Sequence, residues 1–156
     1  MKTNAIPKGF HALTPYLSVK NAVEAIEFYK KAFGAKEVGR ITMPDGTIAH
    51  AELDFGDSKI MLAEENKQWG NLSPQSVGGT PVTLCLYVMD VDKVFETALK
   101  QGAKVLRDMV VKDQYYGDRT GTLTDPFGYN WSIMTHIADV SFEELQKKTE
   151  EMFKTA

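Results

Sequence analysis

Residues 13–35 read LTPYLSVKNAVEAIEFYKKAFGA, and the fold follows from how this stretch is parsed. Leu13 to Val19 carries apolar residues at every second position, the pattern of a half-buried strand. Asn21 can cap a helix, with Glu24 three residues on in capping-box spacing. Ala22, Ile26, Tyr29 and Phe33 then form one apolar stripe at helical period, and Gly34 stops it. Three strand candidates follow: Glu37 to Thr42, Ile48 to Phe55 and Lys59 to Ala63. Asp45-Gly46 and Gly56-Asp57 are the turn dipeptides between them.

The same order returns downstream. Val82 to Val88 (VTLCLYV) reads as a strand, and Asp90 caps a helix whose apolar face is Val91, Val94, Phe95, Ala98 and Leu99. Gly102 stops that helix, and Gly-Ala-Lys follows both helices, at 34–36 and 102–104. Strands are expected near Lys104 to Val111, Thr120 to Thr124 and Tyr129 to Met134. The expected organisation is therefore one α+β domain over 1–156, built from two βαβββ half-modules at about 10–64 and 81–136. A Gly/Ser/Pro-rich linker containing Trp69 joins them at about 65–80. A ferredoxin-like repeat shares the strand-helix-strand opening, but three strands after each helix favour βαβββ. Ser141 and Glu144 form a capping box for a polar helix at about 141–153. Its apolar residues, Phe142, Leu145, Met152 and Phe153, either dock on the body or a second subunit, or leave the helix facing solvent.

Bulk properties exclude several classes. The chain has 156 residues, 43% hydrophobic and 25% charged, enough for one ordinary core. A net charge of -3 offers no basic surface for nucleic acid. A single cysteine, Cys85, permits no internal disulfide and fits a reducing compartment. Met1 to Gly9 lacks the apolar run of a signal peptide, and no stretch approaches the roughly 18 apolar residues of a membrane span. A cytoplasmic protein with no membrane or nucleic-acid partner is expected.

The opening LTPYLSVKNAVEAIEFYKKAFGA and the closing DPFGYNWSI resemble the vicinal-oxygen-chelate superfamily, the glyoxalase and bleomycin-resistance fold. MPDGTIAHAEL, SPQSVGGTP, YYGDRTGTLTDPFG and THIADVS resemble its PhnB-like branch. The resemblance spans about residues 8 to 145. It implies that the two modules form an eight-stranded trough, that the trough takes a small organic molecule, and that the chain is a homodimer. Metalloenzymes of the superfamily carry ligands, typically His and Glu, at positions that correspond here to Thr14, Met61, Thr83 and Ser132. Hydroxyls and a thioether are poor ligands for a divalent cation, which wants imidazole or carboxylate. The expectation is no metal and no other cofactor.

Strand alternation sorts the remaining candidates by face. Leu13, Leu17 and Val19 should lie under the first helix, leaving Thr14, Tyr16 and Ser18 on the inner face. Ala49, Ala51, Leu53 and Phe55 suit the helix side, leaving Ile48, His50, Glu52 and Asp54 inside with Met61. In the second half Thr83, Cys85, Tyr87, Ser132 and Met134 face inward, with Trp131 and Ile133 beneath.

His50 and Glu52 emerge from one face. They could act as an acid-base pair, hold a displaced metal, or be a solvated polar pair. Arg119 either grips a carboxylate or phosphonate or pairs with Asp118 or Asp125. Tyr116 stacks on a ligand or closes its loop. His11 and His136 read as capping or interface residues, and Cys85 as inert packing. The leading functional expectation is a metal-independent binder of a small amphipathic organic molecule. The alternative is an isomerase or lyase using His50 and Glu52. A methyltransferase is disfavoured because no nucleotide-binding glycine motif is present.

Overall fold

The computed structural model describes residues 3–154. The first module runs β1 (Tyr16–Val19), α1 (Ala22–Phe33), β2 (Lys36–Thr42), β3 (Ile48–Asp54) and β4 (Lys59–Glu64). A short helix α2 (Pro74–Val77) lies in the connection. The second module runs β5 (Thr83–Tyr87), α3 (Val91–Lys100), β6 (Lys104–Val105), β7 (Lys112–Asp113), β8 (Asp118–Thr124) and β9 (Asn130–His136), and α4 (Phe142–Lys154) ends the chain. One sheet has the order β1-β4-β3-β2, the other β5-β9-β8-β6 with β7 also on β8. The two orders correspond strand for strand, and in each module the first strand is parallel to the last. This is the paired βαβββ architecture.

Helices α1 and α3 each cover the face of their module's sheet. Ala22, Ala25, Ile26 and Tyr29 of α1 are fully buried, as are Leu53 and Leu62 of its sheet. Trp131 of β9 crosses to the first module, its ring centroid 4.7 Å from Phe33 and 5.4 Å from Tyr29. Asp125 fixes the same seam. Its Oδ2 accepts from Tyr29 Oη at 2.7 Å and Trp131 Nε1 at 2.8 Å, and its Oδ1 accepts from the amides of Phe127 and Tyr129 at 2.9 Å. Burial pushes this carboxyl above its ordinary range, against the pull of those donors. Tyr129 Oη meets the open edge of β1, accepting from Ser18 N and donating to Ser18 O, both at 3.0 Å.

The caps follow the sequence with one addition. Asn21 accepts from Glu24 N, and the Glu64 carboxylate, at the end of β4, takes the amides of Asn21 and Ala22 at 2.7 and 2.9 Å. That places a negative charge on the N-terminus of α1. The segment between the modules is ordered by Glu65, which accepts from Ser73 N, Ser73 Oγ and Ser76 Oγ.

Three local expectations are corrected. Leu13 lies before β1 and is 87% exposed. Ile48 is buried and Ala49 exposed, the reverse of simple alternation, because the register skips Ala49: Ile41 pairs with His50 and Thr42 with Ile48. Such a bulge reverses the face of everything before it. The strand expected over 104–111 is cut short at Val105, and pairing resumes only at Lys112. Segment 106–111 therefore stands opposite Gly121 and Thr122 alone, tied to Thr122 by Leu106 N and Met109 O at 2.9 Å, and the residues between those ties bow out of the ladder. No helix among the described residues is long and apolar enough to cross a membrane.

Candidate functional site

The sheet faces turned away from the helices carry the chemistry. On the first sheet, Met61 lies in register between Tyr16 and Glu52. Tyr16 Oη is 3.4 Å from His50 Nδ1, and His50 Nε2 is 3.6 Å from Glu52 Oε1. Tyr16, His50 and Glu52 thus form one contiguous, partly exposed group. The last distance is too long for a hydrogen bond but suits an ion pair once the imidazole is protonated.

On the second sheet the register builds rows across β5, β9 and β8: Tyr87-Met134-Thr120, Cys85-Ser132-Thr122 and Thr83-Asn130-Thr124. Thr122 Oγ1 lies 3.4 Å from Ser132 Oγ. Asp118, only 6% exposed, organises the next row. It accepts from Tyr87 Oη at 2.8 Å and sits 2.8 Å from His136 Nδ1, whose Nε2 is 3.0 Å from Asp139. Hydrogen bonding to Asp118 raises the Tyr87 phenol. Asp118 and then Asp139 raise the His136 imidazole. His136 is therefore a polar tie between β8 and the segment after β9.

A cavity of about 260 Å³ lies on this second face. Its floor includes Thr120, Thr122 and Ser132, and the bowed segment after β6 supplies Met109 and Val110, with Tyr116 beyond β7. Thr120 Oγ1 is buried and has no hydrogen-bond partner. A larger hollow, about 390 Å³, lies at the seam beside β5, with Pro15, Phe55, Leu84, Leu86 and Trp131 among its walls and His11 and Lys59 at its polar side.

Other candidates fall elsewhere. Arg119 is committed to carboxylates: its Nε and Nη2 bind the two Asp92 oxygens at 2.8 Å and its Nη1 binds Asp113 at 2.8 Å. Its partners are thus neither Asp118 nor Asp125, and alternation sends Arg119 toward α3 while Asp118 and Thr120 face inward. Cys85 is exposed on its strand. Thr14 donates to the His11 carbonyl at 3.3 Å, and Thr83 is exposed at the start of β5.

Thr14, Met61, Thr83 and Ser132, the residues that the resemblance sets at metal-ligand positions, offer three hydroxyls and a thioether, a donor set that does not fit a divalent cation. Among the described residues no three His, Cys, Asp or Glu side chains gather as a cation site. Sequence reasoning missed the buried Asp118 and the unpartnered Thr120, although the alternating hydroxyls of Thr120, Thr122 and Thr124 were visible as a period-two pattern.

Comparison with known proteins agrees with this architecture. The sequence model of the Glyoxalase/Bleomycin resistance protein/Dioxygenase superfamily matches residues 9–133. An uncharacterized protein of Mycobacterium bovis is 44% identical over 138 residues, 86% of this chain and 90% of that one. TioX from Micromonospora sp. ML1 superposes with a TM-score of 0.61 at 23% identity, over 84% of this chain and all of that one. A PhnB protein from Bacillus cereus gives a TM-score of 0.62 at 20% identity, over 80% and 99%. With its repeated βαβββ topology and this match over most of its length, the chain belongs to the glyoxalase/bleomycin resistance protein/dioxygenase superfamily.

Proposed function

We propose that this protein binds a small amphipathic organic molecule on the inner faces of its sheets, without the metal of its catalytic relatives. One observation carries the reading. The helix sides of both sheets are sealed by apolar core, whereas the inner faces present partly exposed aromatic, hydroxyl and imidazole groups in contiguous rows. A surface of this mixed character suits a ligand held by packing and a few hydrogen bonds. Tyr16, His50, Glu52 and Tyr87 are the proposed contacts. The test is a thermal-shift screen of metabolites and glycopeptide-type drugs, followed by affinities for His50→Ala, Glu52→Gln and Tyr87→Phe. Each substitution is expected to weaken binding by about 1–3 kcal/mol, and unchanged affinity in all three would overturn the reading.

The approach of His50 Nε2 to Glu52 Oε1 favours one second reading, an isomerase or lyase using that pair as acid and base. Turnover that disappears only with His50 or Glu52 would replace the first reading. The protein is further proposed to be a cytoplasmic homodimer. Its exposed Cys85 suits a reducing compartment. Helix α4 has no buried residue, with Phe142 91% and Phe153 76% exposed, and a second copy would cover such surface. A monomer mass by light scattering at micromolar concentration would contradict the dimer.

A further inference from the structure

We propose that the cavity beneath segment 106–111 is the subsite for the oxygen-bearing end of the ligand, and that this end is a carbonyl or carboxylate attached to a small apolar body. The inference rests on reading the inner face as a ligand surface and adds the chemistry of one end. Thr120 is 5% exposed, and its buried hydroxyl has no partner. An unsatisfied buried hydroxyl costs on the order of 1–3 kcal/mol, so a strand centre retains one where an outside group completes it. Thr122 and Ser132, the adjoining hydroxyls of the floor, lie 3.4 Å apart, a weak contact that leaves both able to donate to an incoming acceptor.

The hydroxyls of the floor and the register of Lys112 favour an acceptor at this end. Lys112 of β7 is the direct ladder partner of Thr120 and lines the same cavity, which places the residue that carries the cation directly across the ladder from the unpartnered hydroxyl. Asp108 also lines the cavity, but from the segment opposite Thr122 rather than from the strand paired with Thr120. Met109 and Val110 on the same segment, with Tyr116, give the apolar body its walls. A volume of about 260 Å³ holds one aromatic ring with a carboxyl group and excludes larger drugs from this end. The bow itself follows from Arg107, whose φ of 53° lifts the chain out of extended geometry.

The test uses the full chain, labelled with ¹⁵N, and three probes. Benzoate and benzamide share a carbonyl oxygen, and benzylamine offers only a donor cation. Benzoate and benzamide are expected to shift the amides of 108–116, 120–122 and 132. Thr120→Val removes the hydroxyl at constant shape. It is expected to keep or raise the melting temperature of the free protein, because nothing is bonded to that hydroxyl, and to weaken benzoate about tenfold. Lys112→Gln is expected to weaken benzoate and spare benzamide. Shifts from benzylamine alone, or unchanged benzoate affinity in Thr120→Val, would overturn the subsite. Shifts confined to the rows of Tyr16, His50 and Glu52 would also overturn it while leaving the inner-face reading standing, and no shifts anywhere would count against both.

Discussion

Asp125 shows how much of this fold turns on single side chains. Its carboxylate gathers a phenol, an indole and two amides at the seam between the modules. Tyr29→Phe removes one of those donors without altering the ring stack. It is expected to destabilise the chain by about 1–3 kcal/mol, read by urea denaturation, and a loss near zero would show that the seam is held by packing alone. Glu65 gives a pH signature. Hydrogen bonds from the hydroxyls of Ser76 and Ser73 hold its carboxyl at about 2, below its unfolded value. A lowered folded value means the contribution is present above the ordinary glutamate range and is lost as the pH falls toward 2. The melting temperatures of the parent and Glu65→Gln should differ near neutrality and converge in acid. A constant gap across that range would contradict the assignment. Tyr29 was legible as a core residue from its helical period. That its hydroxyl had a buried partner was not, because the partner lies in the other module and no local pattern connects them.

At the scale of elements, local signals worked where they were purely local. Asn21, Asp90 and Ser141 cap α1, α3 and α4 as their spacing suggests, and Trp131 and Ile133 of β9 are buried in the core as alternation requires. They failed where pairing partners decide the phase. The skipped Ala49 and the bowed 106–111 depend on what β2 and β8 present opposite, which period-two reading of one strand cannot see. Gly117 was readable only as part of a loop. In the structure its φ is +94°, and a Cβ there would lie 2.0 Å from the Ala138 carbonyl oxygen. That carbonyl belongs to the segment whose amides at Ile137 and Ala138 bond to Gly117 O. Gly117→Ala is expected to cost roughly 2 kcal/mol or more and to raise hydrogen exchange across 137–145. Normal protection there would contradict the close approach.

For the whole molecule, the repeat made the βαβββ pairing readable from one sequence, because both modules carry the same order of strand, helix and turn signals. The inner face was legible in part: the rows of Tyr16, His50 and Glu52, and of Cys85, Tyr87, Ser132 and Met134, follow from phase. The cavity, Asp118 and the diversion of Arg119 to Asp92 and Asp113 depend on tertiary placement. The proposed ligand face works without the superfamily's metal, since Thr14, Met61, Thr83 and Ser132 cannot offset the dehydration of a divalent ion as imidazoles and carboxylates do. Native mass spectrometry of protein purified without chelator or nickel affinity resin tests it most directly. The expected result is a chain, alone or paired, with no stoichiometric zinc, nickel or iron, and about one such ion per chain would contradict it.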